Sequence, residues 1–182
     1  MCCGTKRLVE IACPSDCGYL ASAREHPPAV VIRRQQDDLS TIVRAARDLS
    51  ERQSRLLFVL LTFLMRYQPP ELESLIDEDV ANAAAALAAT YETATRGVIY
   101  EHRPATRAAE RLVTAMKPLL EEGGQAGGTA FQRDAAVVLR RIETAAQDAM
   151  AGSPSSRRAF LDLVGRVLPK EKDDGDSQHL VI

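Results

Sequence analysis

Apolar residues in this chain recur mostly at helical spacing, and they define a series of helices separated by proline and glycine. The densest run is Leu56–Met65, flanked by Arg52, Arg55 and Arg66. Ser50 followed by Gln53 has the spacing of a capping box, and Pro69-Pro70 must stop the helix beyond Tyr67. Its apolar residues point all round the cylinder, which marks a helix that is buried or lies in lipid. A membrane span needs about 20 apolar residues, and this run is about half that. The pattern therefore predicts a central helix over 51–67, the most buried element of a helical bundle.

The other segments read as its cover. A first helix is predicted over 29–49, with Leu39, Ile42, Val43, Ala46 and Leu49 as its inward stripe. Residues 71–76 suggest a short turn. A third helix covers 78–96, with Asp77 as N-cap and Glu78 and Asp79 at the positive end of its dipole. Val80, Ala84, Leu87, Tyr91, Ala94 and Val98 repeat along it as a near-heptad, and its many alanines permit close helix approach. Gly97 is its predicted C-cap. After the connector 98–103, a fourth helix runs from Pro104 to about Glu121, with Ala108, Leu112, Met116 and Leu119 inward. Pro118 should kink or shorten it. Gly123 to Gly128 reads as a flexible loop. A fifth helix opens on a second capping box, Thr129 to Gln132, and carries the stripe Phe131, Ala135, Val138, Ile142, Ala145 and Ala149. Gly152-Ser153-Pro154 breaks it, and a sixth helix over 156–168 should bury Phe160, Val164, Val167 and Leu168.

This is an all-α pattern: one bundle of five or six helices over 27–168, preceded by a cysteine-rich segment at 1–26. Residues 169–182 are charged and expected to be disordered. Composition changes this little. The formal net charge of −2 and the 4% aromatic content, without Trp, argue against nucleic acid as a partner. No apolar leader follows Met1, so the expectation is a cytoplasmic protein, off the membrane, with reduced thiols.

All four cysteines lie in the first segment. In Cys13-Pro-Ser-Asp-Cys17 the intervening residues let both thiolates reach one ion, a good half of a tetrahedral zinc site. Cys2-Cys3 is a poorer half, because adjacent side chains point apart. The reading is Zn²⁺ held by Cys3, Cys13 and Cys17, with Cys2 or an external group as fourth ligand. His26 is a further candidate. The alternatives are thiols without metal, or redox chemistry outside any thioredoxin-like context. Residues 6–11 between the cysteine pairs suit a short strand with partial alternation.

Cys2-Cys3-Gly4-Thr5-Lys6-Arg7, Cys13-Pro14-Ser15-Asp16-Cys17 and Tyr19-Leu20 resemble the opening of a group of uncharacterised bacterial proteins. In these a short cysteine-rich segment, read as zinc-binding, precedes an all-helical body. The connector Gly97-Val98-Ile99-Tyr100-Glu101-His102 is similar to that group as well. The resemblance implies further cysteines upstream of the pair, so this chain reads as a version shortened at Met1 or as a degenerate site. It implies a motif and no activity.

Two functions compete. The first is a non-enzymatic interaction or regulatory module that docks a protein partner. The second is an enzyme with a site near Tyr100, Glu101 and His102, where a carboxylate neighbours a histidine. Adjacent residues usually point apart, so a helix-connecting corner is the simpler reading. The arginine pairs 33–34, 140–141 and 157–158 read as solvated helix faces. Leu180-Val181-Ile182 reads as a tail for a carboxylate-capturing domain or a tail-specific protease. No phosphate loop or nucleophile motif is present.

Overall fold

In the computed structural model, the structure describes residues 28–70 and 74–168, together with Gly18 and Ser22. The proposed strand at 6–11 and the tail 169–182 lie outside these. Secondary structure among the described residues is entirely helical: α1 Ala29–Ala46, α2 Glu51–Arg66, α3 Asp77–Thr95, α4 Arg107–Gly152 and α5 Ala159–Val167. None of these helices is long and apolar enough to cross a membrane. The chain divides into two compact units, Met1–Leu39 and Ser40–Ile182, with the division inside α1. In the first, Val30, Val31, Ile32 and Leu39 are exposed.

α1 ends at Ala46, short of Leu49, because Asp48 takes φ = 60°, a left-handed conformation that an aspartate tolerates. Its inward residues are Ile42 and Ala45, with Ala46 and Leu49 packed partly against the core; Val43, expected inside, is exposed. α2 starts as the sequence predicts. Ser50 Oγ accepts from the Gln53 N–H at 3.3 Å, and Gln53 Oε1 accepts from the Ser50 N–H at 3.0 Å. Its core face is Leu57, Leu60, Leu61 and Leu64, while Phe58 and Val59 are exposed. The run is thus one-sided, and α2 is not the most enclosed helix. That place belongs to α3, where nine of 19 residues are buried against four of 16 in α2. Alanine explains it. Ala81, Ala83, Ala84, Ala86 and Ala88 let neighbours close over α3 without exposing backbone.

α3 ends in a Schellman motif. Gly97 at φ = 81° donates its N–H to Ala94 O, and the Val98 N–H reaches back to Thr93 O. α4 begins one turn later than expected, at a Thr106 cap whose Oγ1 accepts from the Ala109 N–H at 3.1 Å. It passes through Pro118 without stopping. The predicted flexible loop at 123–128 is also absent: helix continues through Gly127, and only Gly128 leaves it, at φ 55° and ψ −140°. This torsion is open to glycine alone among the common residues, and it reverses the chain in a single step. The return arm lays Phe131 back on the outgoing one. A Cβ at Gly123 would run into that ring, and one at Gly127 would stand 2.7 Å from the Phe131 Cβ. The glycines make room for an aromatic ring and do not form a linker. The second predicted capping box does not form, since Gln132 Oε1 is buried with no partner among the described residues.

The two arms of α4 contribute Leu112, Met116 and Leu120, and then Ala135, Val138, Leu139 and Ile142, to one core with Leu57, Leu60, Val80, Phe160 and Val164. Burying each large side chain stabilises by roughly 1.5–3 kcal/mol. α4 packs on α3 and α2, and α5 contacts α2, α3 and α4.

Candidate functional site

The ends of α3 collect the chemistry-bearing residues of the body. At its start, Ile76 is the N-cap and provides no side-chain hydrogen bond. Asp77, expected as that cap, turns to another helix. Its carboxylate is fully buried and accepts the N–H groups of Phe160 at 2.9 Å and Leu161 at 3.1 Å. These are free donors of the first turn of α5, so Asp77 caps a helix more than 80 residues away. Its own N–H donates to Arg157 O at 2.9 Å. The Arg158 guanidinium donates to Leu75 O and lies 3.7 Å from Asp162. Burial raises the Asp77 pKa above the ordinary carboxylate value. The two amide hydrogen bonds oppose that rise, Asp162 adds to it, and Arg158 opposes it. Asp79, two residues on, is buried and accepts from Thr106 Oγ1 at 2.8 Å, which ties the start of α3 to the start of α4.

At its end, the connector 97–106 folds back over the last turns of α3. The His102 N–H donates to Thr90 Oγ1 at 2.9 Å, and Thr93 Oγ1 donates to Tyr100 O at 3.4 Å. These two threonines clip an extended segment onto the helix. Glu101 and His102, neighbours in sequence, part company as adjacent residues should. Both Glu101 oxygens take the Lys117 ammonium, at 3.0 and 2.9 Å. The His102 ring meets Tyr100 edge to face with centroids 4.8 Å apart. Its Nε2 is buried and has no partner among the described residues. Beside it is a cavity of about 150 Å³, lined among others by Thr90, Glu110, Val113 and Lys117. Glu110 and Lys117 share this cavity, yet neither is a hydrogen-bond partner of His102 Nε2. Val98, Ile99 and Tyr100 stand in water, with Ile99 100% exposed.

Between these ends, Arg140 of α4 forms a fork. Its Nε and Nη2 each bind one Glu92 oxygen at 2.8 Å, and its Nη1 binds Glu143 at 2.8 Å. The Arg140 hydrogen bonds pull the Glu92 pKa down, and Glu92 and then Glu143 push that of Arg140 up. Arg140, half-exposed, is therefore also a link between α3 and α4, a role its place on a solvated helix face did not suggest. Asp134 does the same for α2, accepting from Gln53 Nε2 at 2.8 Å and pairing with Arg52 at 3.1 Å.

Cys2, Cys3, Cys13, Cys17 and His26 lie outside the described residues. Among the described residues, no group of three His, Cys, Asp or Glu side chains could hold a metal ion. Comparison with family models, curated proteins and solved structures finds no match.

Proposed function

We propose that this chain is a non-enzymatic interaction module, in which a helical body presents the connector Val98-Ile99-Tyr100 to a protein partner. The observation that carries this reading is the contrast within that connector. Its backbone is held by Thr90 and Thr93, yet its large apolar side chains are left in water. Apolar side chains on a pre-positioned backbone lose little freedom on docking, which favours association. Support for the module over a catalytic corner is chemical. Glu101 is engaged by Lys117, and the buried His102 Nε2 has no hydrogen-bond partner among the described residues. The proposal retains a zinc-stabilised N-terminal knuckle built on Cys3, Cys13 and Cys17, with Cys2 or an external group as fourth ligand. Its support is the Cys13–Cys17 spacing.

The test is capture of partners from an extract of the cells that make the protein, with wild type and Ile99→Asp immobilised side by side. A partner retained by wild type and lost by a folded Ile99→Asp supports the reading. Identical retention overturns it. Zinc analysis of protein purified in reducing buffer tests the knuckle separately; protein that carries no zinc and takes none up removes that part.

A further inference from the structure

We draw no further inference here: the strongest candidate, the cavity of about 280 Å³ between the end of α2, residues 74–76 and the start of α4, brings the buried Asp79 carboxylate near Arg157, but Thr106 already uses Asp79 to join two helices and nothing in the structure shows what ligand would fill the space.

Discussion

The two ends of α3 treat polar and apolar groups in opposite ways. At its start, a charged group is taken out of water and fully used. Asp77 has no exposed surface, and its two oxygens serve two amides of α5. At its end, apolar groups are left in water while hydroxyls fix the backbone beneath them. Burying a carboxylate costs free energy unless it is hydrogen-bonded, and exposing an isoleucine forgoes free energy. The first end recovers its cost inside the fold. The second recovers nothing within the described residues. That asymmetry assigns Asp77 to holding the body together and is the reason for reading the connector as a surface of contact.

The largest expected effect calibrates the core that both ends share. Leu60 is fully buried in α2, and Leu60→Asp would place an unpaired charge there, a cost of several kcal/mol. Loss of the helical circular dichroism signal is expected; an unchanged spectrum would contradict the packing. Next, Asp77→Ala should destabilise by about 3 kcal/mol, since two buried amides of α5 lose their acceptor. Urea unfolding reads this as a lower midpoint, and a shift under about 0.5 kcal/mol would mean that Asp77 does not hold α5.

A pH series sharpens the same point. The folded-state pKa of Asp77 is raised, with burial the main cause, so folding disfavours its ionised form. The associated stability is present below the ordinary carboxylate range and is lost as pH rises through the folded-state value. Wild type should therefore lose ground against Asp77→Asn as pH rises through and above the ordinary carboxylate range. Urea midpoints of both proteins along that series check it; a trend in the opposite direction would mean that the amide hydrogen bonds outweigh burial. The smallest effect belongs to the other end. Ile99→Asp should change stability by less than about 0.5 kcal/mol, because the side chain touches water on every side. A drop comparable with that of Asp77→Ala would erase the contrast.

Much of this body is legible locally. The Ser50–Gln53 box and the stripe of Ala135, Val138, Ile142 and Ala145 follow from spacing alone, since both depend on neighbours within a few turns. The all-α class follows for the same reason. What sequence spacing misses is non-local. Asp77 looks like a cap for its own helix, because nothing in its surroundings announces Phe160 and Leu161 as partners. Arg140 looks solvated until Glu92 arrives from another helix. The glycines at 123–128 read as a loop by composition, whereas their role is set by the ring of Phe131 after the reversal at Gly128. Thr129 and Gln132 match a capping pattern, but a sequence pattern does not say which way the preceding backbone leaves. The candidate site was legible as a corner where Glu101 and His102 diverge. Its exposed apolar side chains were not, because the heptad reading carried Val98 inward past the glycine that ends the helix.

Native-state amide exchange measures both ends of α3 in one experiment. The account predicts that the Phe160 and Leu161 amides, closed by the buried Asp77 carboxylate, exchange only on global unfolding, while the Ile99 amide exchanges orders of magnitude faster. Phe160 and Leu161 exchanging as fast as Ile99 in the wild-type protein would contradict it.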